Sequence, residues 1–207
     1  MTSHTGYSYC KPKLYSKYGE NAWFNEVLGY LSIRYRPIEM RMLGTLRYVE
    51  LHPRNKNAFS YEFGSIIRDV GSTFTSILDR LVRNTITTPR ERYDIRDYRE
   101  FLINEVKDIE LIGAELNYSF AHDMVLPFDV ISDPSTRINW WNAYNNLKHS
   151  EIDNYKDGCL SNAVYGIASL AILYTLMSPN RMAEGRLFSL VGYFRPLEMV
   201  KKYLFPK

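Results

Sequence analysis

Residues 59–83 read FSYEFGSIIRDVGSTFTSILDRLVR and contain the clearest structural signal of the chain. Apolar side chains recur there every three or four positions, which is the period of an α-helix with one buried face. Ser60 is the predicted N-cap, and Glu62 places a negative charge at the positive end of the helix dipole. We therefore predict a helix over about residues 60–83 that forms the spine of a helical core. Its buried stripe consists of Phe59, Phe63, Ile66, Ile67, Val70, Phe74, Ile77, Leu78 and Leu81.

Two amphipathic helices are predicted before and after this spine. The first covers residues 38–51, and Pro37 suits its first turn because a proline there removes no helical hydrogen bond. It ends before His52-Pro53, because the residue that precedes a proline avoids the α conformation. The second covers about residues 94–107 and points its apolar positions inward, namely Tyr98, Phe101, Leu102 and Val106.

The second half of the chain contains two more predicted helices. Residues 109–131 lack a helical period and include turn residues, so they predict a loop or a short hairpin. Pro134 starts the next helix, with Ser132 or Asp133 as its cap, and this helix ends near His149. An uncharged helix follows over about residues 157–178.

These elements predict a mainly α protein. Its centre is a helical bundle over residues 38–178, with the short irregular or hairpin insertion at about 109–131. Residues 1–37 are predicted to be an N-terminal arm. Residues 179–207 are predicted to be a C-terminal tail with one short amphipathic helix around Leu197, Val200 and Leu204.

Composition restricts the class of protein without identifying its function. The chain has 207 residues, 45% hydrophobic and 24% charged, which is ordinary for one globular domain and excludes a disordered or collagen-like chain. Aromatic residues are abundant, with 17 Tyr, 10 Phe and 3 Trp. The ends of the chain are basic and the middle is acidic. This asymmetry either steers an anionic partner or reflects an ordinary solvated surface, and it lacks the basic stripe typical of strong nucleic-acid binders.

Cysteine usage and hydropathy predict a cytoplasmic protein. Cys10 and Cys159 are too few for a disulfide framework and form no CxxC pair, which fits a reducing compartment. The first residues lack the apolar core of a signal peptide. Residues 158–180 carry no charge and are long enough to span a bilayer. Their Ser, Asn, Thr and Tyr residues and the acidic residues before them favour a buried core helix, so no membrane association is predicted.

Residues 140–149, WWNAYNNLKH, combine an aromatic helix face with a polar, titratable one. At 100° per residue, Trp140, Tyr144 and Leu147 share one sector, and Asn142, Asn145 and His149 share another. Histidine suits general acid–base catalysis near neutral pH, and Lys148 or Arg137 could stabilise a phosphate charge. The alternative is that Lys148 and His149 only cap the last carbonyls of the helix. His149 and Asp153 lie four residues apart but lack a third ligand, so neither a metal site nor another cofactor is predicted.

Three segments together resemble a bacterial branch of the HEPN-type proteins. They are WWNAYNNLKH at 140–149, LPFD at 126–129 and ELHPRNKNAFSYEFGSIIRD at 50–69. The resemblance covers about residues 38–178. It implies a small bundle of four or more helices that is often dimeric. Many members of this group are metal-independent endoribonucleases of toxin–antitoxin, phage-defence and RNA-processing systems.

The catalytic signature of that group is Arg, a polar residue, three variable residues and His. In this chain the frame falls on Tyr144, Asn145 and His149, and Lys148 is a substitute cation. The resemblance implies that His149 handles the 2′-hydroxyl proton or the leaving group of RNA. Tyr144 replaces the arginine that would bind the phosphate, so cleavage competes with a second hypothesis, a non-catalytic helical module for protein interaction or dimerisation.

The resemblance also implies partners for the chain. They are RNA, a second copy of the chain, and an antitoxin or regulatory protein. Arg137 is the candidate RNA-binding cation. Trp141 is the candidate for stacking a base, since adjacent helix residues do not share a face and one of the two tryptophans should be exposed.

Overall fold

The computed structural model describes residues 8–9, 11–87, 90–117, 124–179 and 186–193. The chain is mainly helical. Its helices in chain order are α1 Lys13–Tyr18, α2 Ala22–Thr45, α3 Tyr61–Thr85, α4 Ile95–Glu105, α5 Asn139–His149, α6 Glu151–Asn154 and α7 Leu160–Met177. A small sheet contains β1 Ser8–Tyr9, β2 Ile112–Leu116, β3 Met124–Val125 and β4 Phe188–Tyr193. Short 3₁₀ turns occur at Pro53–Asn55, Ile109–Leu111 and Tyr155–Asp157.

Helix α3 is the central spine, as its apolar stripe predicts. The Ser60 side chain accepts a hydrogen bond from the Phe63 backbone N–H at 3.1 Å, so the predicted cap is confirmed. The stripe is buried from Phe63 to Leu81. Helices α2, α5 and α7 all pack on it. The core therefore forms around the element with the strongest amphipathic pattern.

Helix α7 is the uncharged helix, and it lies inside the domain. It is long and apolar enough to cross a membrane by composition alone, yet 78% of it is buried in the fold. Small residues allow it to approach α3 closely. A Cβ built on Gly166 would lie 3.0 Å from Val70 Cγ1, and one on Gly158, just before the helix begins, would lie 3.1 Å from the Gly64 backbone. The buried core helix that the sequence favours is therefore confirmed, and it packs against α3.

Helix α4 begins with a capping box. The Asp94 carboxylate accepts from the Arg96 N–H at 2.7 Å, and Asp97 accepts from the Asp94 N–H at 2.8 Å. Its buried Tyr98 hydroxyl donates to Asp79 of α3. Burial and this hydrogen bond raise the pKa of Tyr98 above its ordinary value, so the hydroxyl remains a donor at neutral pH. The inward face predicted for this helix is confirmed.

The N-terminal part of the bundle differs from the prediction. The helix expected over 38–51 begins at Ala22 and ends at Thr45, with Pro37 inside it. The proline is tolerated because it lies on the exposed side, where water can solvate the carbonyl that loses its helical donor. The arm predicted over residues 1–37 therefore contains two helices, and several of its side chains are buried in the common core: Leu14, Phe24, Val27, Leu31 and Tyr35.

Helix α5 starts later than predicted, at Asn139 instead of Pro134. The Asp133 side chain accepts hydrogen bonds from the Ser135 N–H at 2.9 Å and from the Thr136 hydroxyl at 2.5 Å. These bonds satisfy the backbone in a turn, which competes with helix formation. The predicted end of the helix at His149 is confirmed.

The hairpin alternative for residues 109–131 is confirmed, since β2 and β3 pair antiparallel with Ala114 opposite Val125. The sheet order is β1-β4-β2-β3, so strands from both ends of the chain extend the hairpin. Strand β4 lies in the predicted C-terminal tail, where no strand was expected. The helix expected around Leu197, Val200 and Leu204 lies outside the described residues.

A buried carboxylate connects α2 to the start of β4. Glu39 Oε1 accepts hydrogen bonds from the Leu187 N–H at 2.9 Å and from the Tyr35 hydroxyl at 3.1 Å. Glu39 has no solvent to replace these partners, because it is almost fully buried.

We expect Glu39→Ala to lower the free energy of unfolding by about 2–3 kcal/mol, because it leaves two buried donors without an acceptor. Glu39→Gln is the matched control. It keeps a carbonyl oxygen at this position and should lose less than half as much. Urea unfolding of the three proteins tests this, and equal losses for Ala and Gln would contradict it.

Candidate functional site

Packing of one face of α5 positions the other face at the surface. Trp140 is buried, and its indole N–H donates to the Pro127 carbonyl at 3.2 Å. Its ring meets Phe74 of α3 edge-on, with the centroids 5.1 Å apart. Ala143 and Leu147 continue this buried face. The last polar residues of α5, Lys148 and His149, consequently lie at the surface.

Lys148 and His149 lie at the exposed C-terminal end of α5. The Lys148 ammonium is 5.6 Å from the centroid of the Tyr144 ring, within the range of a cation–π contact. Within the described part of the chain, His149 forms no ion pair and no side-chain hydrogen bond. Its imidazole is therefore accessible to a ligand.

Tyr144 is a core residue rather than a phosphate ligand. Only 5% of it is exposed. Its ring lies on α3 at Gly71, where an added Cβ would come within 2.2 Å of the ring carbons. An arginine at this position would therefore bring its charge into the core.

Trp141 is also buried, with 8% of it exposed. Its ring contacts Phe74 at 5.5 Å, Tyr98 at 6.0 Å and Tyr144 at 5.2 Å between centroids. The expectation that one of the two tryptophans is exposed is wrong, because Trp141 packs against both Phe74 of α3 and Tyr98 of α4.

Asn145 lies in the wall of a cleft between α4, the turn at residues 131–138 and α5. The cleft has a volume of about 560 Å³. Arg137 and an edge of Trp141 line it as well, so three of the predicted site residues meet there. Lys148, His149 and Tyr144 do not line it. The predicted catalytic set is therefore divided, with Asn145 in the cleft and His149 one helical turn further along α5.

The cleft contains two arginines that the sequence did not indicate, Arg96 and Arg99 of α4. They come from a segment about forty positions earlier in the chain, and only the packing of α4 beside α5 brings them here. The helical pattern predicts α4 itself but gives no information on its neighbours.

Exposed aromatic and aliphatic side chains surround the other side of the α5 end. Ile152 is 88% exposed and Tyr61 is 75% exposed, and Phe59 meets Tyr155 edge-on at 5.1 Å. With Leu147 and Glu151 these residues line a groove of about 410 Å³. We call Phe59, Tyr61, Ile152 and Tyr155 the aromatic patch.

Asp153, the carboxylate four residues after His149, belongs to a local hydrogen bond. Asp153 accepts a hydrogen bond from the Ser150 hydroxyl at 2.5 Å. Across the residues that the structure describes, no group of three or more His, Cys, Asp or Glu side chains is arranged to hold a metal ion.

No protein-family model, no curated protein and no solved structure matches this chain.

Proposed function

We propose that the protein is an HEPN-like, RNA-binding protein with a metal-independent endoribonuclease activity centred on His149. The observation that supports this is an exposed imidazole at the end of α5 that has no partner among the described residues, next to the exposed ammonium of Lys148. The motif frame that resembles the HEPN signature ends at this imidazole. In a cell the proposal corresponds to a cytoplasmic role in RNA processing, defence or a toxin–antitoxin system.

The proposed reaction is attack of a 2′-hydroxyl on the adjacent phosphorus. The bond from the 2′-oxygen to phosphorus forms, and the bond to the 5′-oxygen breaks. His149 removes the 2′-proton or protonates the leaving 5′-oxygen, and Lys148 faces the charge on the phosphate. The products are a 2′,3′-cyclic phosphate and a 5′-hydroxyl.

The substitution of the signature arginine limits this chemistry. Tyr144 is buried, so the Lys148 ammonium is the nearby cation for the phosphate. A lysine acts as a point charge and lacks the two-pronged geometry of a guanidinium. We expect that Tyr144→Arg would not supply the missing phosphate ligand, because the guanidinium would meet Gly71 and the aromatic core.

We expect His149→Ala to reduce RNA cleavage about 100-fold or more, since general acid–base groups contribute on this scale. Purified protein is incubated with single-stranded RNA in excess EDTA, so that adventitious metal cannot contribute. The thermal unfolding midpoint should stay unchanged because His149 is exposed.

His52→Ala is the matched control for that experiment. His52 is exposed, and its side chain only caps a 3₁₀ turn by accepting from the Arg54 N–H at 3.1 Å. The His52→Ala variant should cleave RNA like the wild type. Equal activity of the His149→Ala variant and the wild type would contradict the proposed role of His149.

We also propose that the active form is a homodimer that buries the aromatic patch and the adjoining end of α5. The patch contains four large side chains that are 48–88% exposed, a concentration of apolar surface typical of interaction sites. A twofold contact there would place two copies of His149 near one another, one for each proton transfer.

Light scattering at micromolar concentration should give twice the chain mass of 24.3 kDa. Ile152→Glu should shift the protein to a monomer, because it introduces two carboxylates into the contact. Ile33→Glu, at an exposed isoleucine of α2, is the control and should remain dimeric. A monomeric wild type would contradict this assembly.

A second candidate function is a non-catalytic module that binds a protein, such as an antitoxin or a regulatory partner. The burial of Tyr144 under Lys148 favours it, since these motif residues then serve packing. A dimeric protein that leaves RNA intact in EDTA would support this function instead of cleavage.

A further inference from the structure

We propose that the cleft between α4, the turn at 131–138 and α5 binds a small anion carried on a flat apolar ring. We call it the arginine cleft. The anionic group is a carboxylate or a phosphate monoester, and the ring lies on the apolar floor. This inference uses Arg137 and Asn145, which the sequence also indicates as site residues, but it does not require RNA cleavage.

The size and floor of the cleft fit such a ligand. Its volume of about 560 Å³ lies within the range of sites for small organic molecules. Ile131, Ile138 and Trp141 line it and are otherwise buried, so they present an apolar surface at its base. Ile103 of α4 adds a more exposed apolar wall.

The charge of the lining favours an anion. Three arginines and one carboxylate, Glu100, line the cleft, and the Asp133 carboxylate lies at its rim, where it accepts from the Ser135 N–H. Arg96 already pairs with Asp94 at 2.7 Å. Arg137 is exposed and, among the described residues, forms no ion pair. A guanidinium binds carboxylate and phosphate oxygens through two parallel hydrogen bonds, so Arg137 is the anchor for the anionic group.

Arg99 and Asp133 build the rim before any ligand binds. Arg99 donates to the Asp133 carbonyl at 2.7 Å and to the Thr136 carbonyl at 2.5 Å. The Ser135 and Thr136 hydroxyls donate to the Asp133 carboxylate and lower the pKa of Asp133 to about 2. The turn that carries Arg137 is therefore tied to α4, which reduces the entropy lost on binding.

Unused hydrogen-bonding groups line the cleft as well. The side-chain amides of Asn142 and Asn145 are half-buried and have no partner among the described residues. Unpaired polar groups cost free energy when water is excluded, so a ligand with acceptor oxygens gains by pairing with them.

Isothermal titration calorimetry with three probes tests the proposal. The probes are 2-naphthoate, 2-naphthyl phosphate and the neutral 2-naphthol, which carry the same ring. At least one anion should bind with one site per chain, whereas 2-naphthol should bind at least ten-fold more weakly. The anion that binds more tightly shows whether the site prefers a carboxylate or a phosphate monoester. Equal binding of all three probes, or no binding of either anion, would overturn the proposal.

Two variants locate the binding in the arginine cleft. Arg137→Ala should weaken anion binding at least ten-fold. The single variant Asn145→Asp should weaken anion binding more than Arg137→Ala does, because it adds a carboxylate to the lining. Arg47→Ala, at an exposed arginine that does not line the cleft, should leave binding unchanged. Equal affinities of the Arg137→Ala and Arg47→Ala variants would overturn the proposal.

His149→Ala separates this inference from the proposed function. The variant should bind the naphthyl anion like the wild type, since His149 does not line the cleft. RNA cleavage without anion binding would overturn the arginine cleft and leave the nuclease. Anion binding without RNA cleavage would contradict the nuclease and leave the arginine cleft.

Discussion

Replacing Leu170 with aspartate is expected to lower the free energy of unfolding by about 4 kcal/mol or more. Leu170 has no exposed surface and lies in α7, which contains no charged residue. An aspartate there would carry a buried charge with no partner, which is among the most destabilising changes a core can suffer. Since many domains have only about 5–15 kcal/mol of stability, this change removes a large fraction of it.

Ile33→Asp is the matched control for this prediction. Ile33 also lies inside a helix, but it is 74% exposed, so an aspartate there stays hydrated. The Ile33→Asp substitution should lower the free energy of unfolding by less than about 1 kcal/mol, mainly because aspartate has a lower helix propensity. Urea unfolding measures both variants, and a similar stability of Leu170→Asp and Ile33→Asp would contradict the buried position of α7.

The second large effect is expected at the crossing of α3 and α5. Gly71→Ala should destabilise the protein by about 2 kcal/mol, because its Cβ would lie 2.2 Å from the Tyr144 ring. The clash is with ring atoms close to the backbone, so a small rotation of the side chain cannot relieve it. Helix α5, which carries Lys148 and His149, would have to move.

Gly29→Ala in α2 is the control, because nothing lies within 4 Å of the Cβ it would add. That variant should be stabilised by up to about 1 kcal/mol, as expected for glycine to alanine in a helix. In the double variant Gly71→Ala/Tyr144→Ala the clash is gone, so the two losses should not add. Additive losses, measured by urea unfolding, would contradict this contact.

The sequence predicts elements well where the local pattern and the burial agree. The α3 stripe, the Ser60 cap and the uncharged α7 are each determined by nearby residues. The helix start predicted at Pro37 is wrong, because the effect of a proline inside a helix depends on which side of α2 faces water. Strand β4 is missed because it forms through pairing with two distant segments, β2 more than 70 residues earlier and β1 near the start of the chain.

The candidate site is likewise predictable only where local sequence determines it. The end of α5 at His149 and the exposure of its last residues follow from helical geometry. The burial of Trp141 does not, because it depends on α4, whose position beside α5 has no local signal. The arginine cleft escapes prediction for the same reason, since α4 supplies two of its three arginines.

The most direct test of the proposed nuclease is the chemistry of the cut ends. A 5′-labelled single-stranded RNA is incubated with excess protein in EDTA, and the fragments are identified by mass spectrometry. The wild type should produce 2′,3′-cyclic phosphate and 5′-hydroxyl ends, and His149→Ala should leave the RNA intact over the same time. Intact RNA with the wild type, 3′-hydroxyl ends, or the same fragments from His149→Ala would contradict the account.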